Sequence, residues 1–203
     1  MSANLSADLS DEDLMLRYGS GDLAAFKELY QRHSHGLYRF IVWRSPRKEW
    51  VDEVMQESWA SLHQARARYE ALSSFRTYLY QIARNRLIDL MRQHQMVLAS
   101  DLGQHEDTGA IFDHLADTVH DAQSPEDALD NKQQVAGLHQ AIRALPADQR
   151  EALVLQQFNG MSLEEIAHLT AVPVETIKSR LRYAMRKLRQ NLAENLAAQE
   201  EQA

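Results

Sequence analysis

Apolar residues recur at helical spacing through much of the chain. In DLAAFKELYQRHSHGLYRFIVW, Leu23, Phe26, Leu29 and Tyr30, then Leu37, Phe40 and Ile41, return to one face, which predicts an amphipathic helix. The pattern breaks at SPRK, where Pro46 lacks a donor and disfavours helix in front of it. A second helix is predicted over about residues 49–66, with Val51, Val54, Met55, Ser58 and Leu62 on one side. A third is predicted over about residues 74–94, burying Tyr78, Leu79, Ile82, Leu87 and Leu90. YEALSS forms the turn between these two.

From Gln95 the periodicity fades, and Gly, Asp and His scatter among few apolar residues. AIFDHLADTV fits at most a short amphipathic turn. Helix restarts at Ser124–Pro125, with a Ser cap, Pro at the first position and acids in the first turn. One helix then ends near Leu145, and Pro146 opens the next, ADQREALVLQQF, which Asn159–Gly160 stops. SLEEIAHLT carries Ser162 and Glu165 at capping-box spacing, and the turn AVP leads into VPVETIKSRLRYAMRKLR. No segment reads as a strand. The expected architecture is all-α: two small helical domains, about residues 10–95 and 130–192, joined by a flexible acidic linker over 96–129.

Charge sharpens this division. The 203-residue chain has a formal net charge of −7, and Met96–Gln134 alone holds nine acids against one Lys, a net of −8. The flanking parts are near balance, with 13 basic and 12 acidic residues before it and eight of each after it. A hydrophobic content of 44% with 25% charged residues is ordinary for a globular protein. The absence of cysteine excludes disulfides and thiolate metal sites and fits a reducing cytoplasm. No apolar run approaches the roughly 20 residues of a membrane span. MSANLSADLSDEDLML lacks the basic start and apolar middle of a signal peptide, so a cytoplasmic protein without membrane insertion is expected. Neither His33 and His35 nor His105, His114 and His120 show metal-site spacing. With no phosphate loop, nucleophile elbow or paired carboxylates in view, neither catalytic residues nor a cofactor are expected.

The most informative stretch is the last. A short capped helix, a tight turn and a longer basic helix have the grammar of a helix-turn-helix. On the second helix Ile177, Leu181, Ala184 and Leu188 share one stripe, whereas Lys178, Arg182, Arg186 and Arg189 fall on an exposed side. Arg180 and Lys187 flank the apolar stripe. Near the helix start Glu175, Thr176, Ser179 and Arg182 are placed to reach base edges, and the other cations suit phosphates. A basic face alone also describes a solvated helix; the preceding cap and turn favour DNA.

VDEVMQESW followed by SFRTYLYQIARNRLIDLMR resembles region 2 of bacterial sigma factors, and ALPADQREALVLQQFNGMSLEEIAHLTAVPVETIKSRL resembles their region 4. GDLAAFKELYQRHSHGLYRF is similar to the opening helix of the extracytoplasmic-function (group 4) sigma factors, which keep only these two domains. The resemblance implies a factor that binds core RNA polymerase, recognises the −10 and −35 promoter elements, helps melt DNA and is controlled by an anti-sigma factor. It implies core polymerase contacts at Glu53, Gln56 and Glu57, with Asp52 adjacent. It puts a pocket for an extruded base in the loop from Tyr69 to Ser74. There Tyr69 stacks on or walls off the base and Ala71, Ser73 and Ser74 leave room; an ordinary turn with Tyr69 capping the core is the alternative. Asn85 matches a position that touches the −10 element, with Arg76, Arg84, Arg86 and Arg92 as nearby contacts.

There are departures from the family pattern. Tyr78 stands where Trp is usual, QHQM follows Arg92 in place of further cations, and Tyr183 replaces a common Arg on the recognition helix. Val174–Glu175 replaces a frequent Glu–Gly pair, so Glu175 either accepts from a cytosine amino group or caps the helix. The acidic linker either threads a basic polymerase channel or is simply solvated. Two rivals remain at this point: a stand-alone helix-turn-helix regulator, and an adaptor that imitates a sigma factor to sequester an anti-sigma protein.

Overall fold

The computed structural model describes residues 9–98 and 135–200, with side chains to His94 in the first stretch and to Ala193 in the second. Every regular element among the described residues is helical. The expected acidic linker, the turn AIFDHLADTV and the helix restart at Ser124–Pro125 lie outside them. The chain divides into two compact units.

The first unit holds α1 (Asp11–Gly19), α2 (Leu23–Arg44), α3 (Glu49–Ala65), a 3-10 turn (Arg66–Arg68) and α4 (Phe75–Leu98). The periodicity predicts the last three helices closely and misses α1. That helix is short, with Leu14, Met15 and Tyr18 as its buried side chains, too few to establish a period. Its start was legible, however. Ser10 Oγ accepts the Asp13 N–H at 3.1 Å, and Asp11, Glu12 and Asp13 set carboxylates against the positive end of the helix dipole.

Polar contacts then bind α1 to its neighbours. Asp11 pairs with His33 Nε2 at 2.7 Å and accepts from Arg32 Nη1 at 3.0 Å, and these contacts, that with His33 foremost, hold its carboxyl below the usual 3.8. The Tyr18 hydroxyl hydrogen-bonds to His63 Nδ1 on α3. Leu29, Leu37, Phe40 and Ile41 of α2 are buried with Val51, Val54 and Leu62 of α3 and Leu79, Ala83 and Leu87 of α4. Ser58 sits among them because its hydroxyl donates back to the Val54 carbonyl at 2.5 Å. Several residues of the expected apolar faces sit further out: Leu23 and Tyr30 are exposed, though the Tyr30 ring lies 4.9 Å from that of Trp59, and Phe26, Met55, Tyr78 and Ile82 are half-buried.

The second described stretch of chain holds α5 (residues 135–143), α6 (Ala147–Leu153), a π-helical turn (Val154–Phe158), α7 (Leu163–Thr170) and α8 (Val174–Glu200). Arg150 Nη1 donates to the Arg143 carbonyl at 2.8 Å and links α6 to the end of α5. The π turn was not expected from the pattern. It ends where Asn159–Gly160 predicts, with Asn159 Nδ2 bonded to the Val154 carbonyl at 3.1 Å and Gly160 left-handed at φ 60°. Ile142, Leu153, Leu155, Met161 and Ile166 are buried with the apolar stripe of α8.

Candidate nucleic-acid and polymerase interfaces

The helix-turn-helix is built by local capping. The Glu165 N–H donates to Ser162 Oγ at 3.1 Å and the Ser162 N–H donates to the Glu165 carboxylate at 2.9 Å, a reciprocal box. At the other end of α7 the Val172 N–H reaches the Ala167 carbonyl at 3.1 Å and the Ala171 N–H reaches that of His168 at 3.3 Å. This is a Schellman closure, with Ala171 at φ 56° in the left-handed position that glycine usually takes. The Thr176 N–H then donates to the Pro173 carbonyl at 2.9 Å to start α8.

Ile177, Leu181, Ala184 and Leu188 are buried as one stripe of α8, while Lys178, Arg182, Arg186, Lys187 and Arg189 are exposed. Lys178 Nζ lies 2.6 Å from Glu175, whose hydrogen bond raises the ammonium above its ordinary pKa. The guanidinium groups of Arg182 and Arg186 stand 5.5 and 4.9 Å from the centre of the exposed Tyr183 ring. The ring that replaces the family's common Arg therefore stacks between two cations. Arg180 differs from the others: its Nη2 is 2.6 Å from Asp148 on α6, so it braces the unit. Thr176 and Ser179 are half-buried near the helix start.

In the first unit the loop from Tyr69 to Ser74 joins the 3-10 turn to α4. Ser74 Oγ accepts the Thr77 N–H at 3.3 Å and lies 2.9 Å from Thr77 Oγ1. The Phe75 N–H is taken from a distance, by Glu12 Oε1 of α1 at 2.7 Å. Tyr69 is 9% exposed with its ring centre 5.3 Å from that of Tyr78, and its buried hydroxyl has no hydrogen-bond partner. Burial, then the charge of Glu12, pushes that phenol up to about 12. Ala71 is exposed, and Leu72 is 87% exposed. On α4, Arg76 and Arg84 are half-buried and Asn85 and Arg92 are exposed.

The structure joins residues that the sequence assigns to different partners. Arg86 Nη2 lies 2.8 Å from Glu53 Oε1 and 3.1 Å from Glu57 Oε1, with Nε also paired to Glu57. Asp52 and Gln56 are exposed beside those carboxylates on α3. Among the described residues no cluster of His, Asp or Glu could hold a metal ion. No described helix is long and apolar enough to cross a membrane.

Residues 29–96 match the sequence family Sigma-70 region 2, and residues 136–188 match Sigma-70, region 4. The RNA polymerase sigma-H factor of Pseudomonas aeruginosa is 32% identical over 84% of this chain and 88% of its own length. The chain belongs to the sigma-70 family. Within it this sigma factor falls in the extracytoplasmic-function group, and its nature is that of a transcription initiation factor, not an enzyme. The ECF RNA polymerase sigma-E factor of Salmonella typhimurium is 30% identical over 87% of this chain and 91% of its own length. Among solved structures, the sigma factor RpoE of Bartonella quintana, in complex with the anti-sigma factor NepR, superposes with a TM-score of 0.67. That likeness has 25% identity and covers 83% of this chain and 96% of the other. The two helical units of the sigma factor thus correspond to regions 2 and 4.

Proposed function

We propose that this sigma factor mounts on core RNA polymerase through Asp52, Glu53, Gln56 and Glu57, reads the −10 element with residues about 10–95 and reads the −35 element with residues about 130–192. Region 4 inserts the start of α8 into the major groove, where Glu175, Thr176, Ser179 and Arg182 meet base edges and Lys178, Arg186 and Arg189 meet phosphates. Arg180 positions α8 through Asp148, and Tyr183 holds the two arginines that flank it.

Region 2 completes opening. Extruding a base costs a few kcal/mol of stacking, which a pocket must offset. The observation that carries this reading is the Tyr69 hydroxyl, buried and without a hydrogen-bond partner in the loop before α4. A desolvated hydroxyl left unpaired is costly, and a base edge entering the loop would satisfy it. Ser73 and Ser74 give the base room, Leu72 offers an apolar contact, and Asn85, Arg76, Arg84 and Arg92 engage the strand nearby. The factor works in the cytoplasm. An anti-sigma protein controls it, as the complex of the Bartonella relative with its own anti-sigma factor supports.

Run-off transcription with purified chain and core polymerase over a promoter library tests the proposal. Specific initiation is expected, with Arg182→Ala impairing promoters that need the upstream element and Tyr69→Ala slowing opening more than closed-complex formation. A chain that ignores the polymerase, or grips one operator unaided at physiological salt, overturns it.

A further inference from the structure

We infer that Glu12 of α1 is a positioning residue for promoter opening, holding the start of α4 and with it the loop that receives the extruded base. The inference rests on the −10 pocket proposed above. The first N–H groups of a helix lack partners within it and must be satisfied from outside. Here Ser74 takes the Thr77 N–H locally, but the Phe75 N–H goes to the Glu12 carboxylate at 2.7 Å, across 63 positions of sequence. Phe75 is the residue at which the loop ends, and its side chain is fully buried. One end of the loop is therefore fixed by a charge-assisted bond to another helix.

The α1 side of that bond is held by further contacts. Asp11, next to Glu12, is anchored by Arg32 and His33, and Tyr18 ties the far end of α1 to His63. Glu12 is half-buried, so solvent screens it only in part. After burial, its charge is the next contribution that raises the Tyr69 phenol. A pocket accepts a reacting or extruded group only in a narrow geometry, and small displacements of its frame reduce rates steeply. Removing the carboxylate frees the Phe75 N–H and lets the loop drift, while the acidic face of α3 keeps its contacts.

The test uses holoenzyme on a promoter obtained from the run-off screen, with 2-aminopurine in the −10 element reporting opening. Core affinity and closed-complex formation are measured alongside. Glu12→Ala should slow opening severalfold, as a displaced pocket frame would, with core affinity unchanged. Glu12→Gln keeps an acceptor oxygen at the same reach and should recover at least half of the lost rate. Normal opening in both variants, with Tyr69→Ala still slow, overturns the inference and leaves the pocket standing. A matching fall in core affinity overturns it too, because the residue would then only hold the fold. Normal opening in Tyr69→Ala removes the pocket reading, and this inference with it.

Discussion

At the scale of single residues, close backbone approach decides more than charge. Gly19 ends α1 against the 3-10 turn, where a Cβ would lie 2.8 Å from the Arg66 carbonyl oxygen. Neither atom belongs to a flexible side chain, so one backbone must shift. Gly19→Ala should therefore destabilise region 2 by about 1–3 kcal/mol, as overpacking does. Gly137, in α5, has nothing within 4 Å of a built Cβ. Gly137→Ala should instead stabilise by about 0.5–1 kcal/mol through the entropy that glycine loses in a helix. Urea unfolding of the two variants decides the matter; a shift of the same sign in both contradicts the close-approach argument.

At the scale of elements, the pairing of α3 with α4 through Arg86 has consequences for assembly. Glu53 and Glu57 are 41% and 44% exposed, and Arg86 is 27% exposed, so the bridge adds about 0–1 kcal/mol to stability. Its larger effect is on availability. On the proposed assignment, a basic polymerase helix that takes these carboxylates would first have to displace Arg86, which would then be released beside the −10 strand. Arg86→Ala should leave the fold within about 1 kcal/mol of the parent and tighten core binding at low salt, while weakening retention of −10 DNA. Titration of labelled factor with core polymerase measures the first effect. Weaker core binding by the variant would show that Arg86 itself contacts the polymerase.

For the whole molecule, the distribution of charge matters more than its sum. The whole negative excess lies in Met96–Gln134, while the parts carrying regions 2 and 4 are near neutral. On the proposed reading, each DNA face is modest, polymerase would supply the remaining affinity, and the acidic segment would oppose non-specific binding of the free factor. Replacing its nine acids with Asn and Gln should weaken core binding more at low salt than at high salt, and strengthen binding of free factor to random duplex. Unchanged core affinity across a salt series would remove the polymerase-channel role for this segment.

Much of this protein was determined by local pattern. The helices from Leu23 to Leu98, the Ser162–Glu165 box, the stop at Asn159–Gly160 and the inward stripe of α8 follow from periodicity and capping, which operate within a turn or two of chain. Candidate DNA residues were readable as types for the same reason, since an exposed cation row is a property of one helix. Tertiary structure alone decided their partners. Arg180 turned to Asp148, Arg86 closed on two α3 carboxylates, Tyr69 was buried with its hydroxyl unpaired, and Glu12 capped a helix far along the sequence. Such contacts depend on which side chains packing brings within hydrogen-bond reach, and no periodicity along a single helix encodes that.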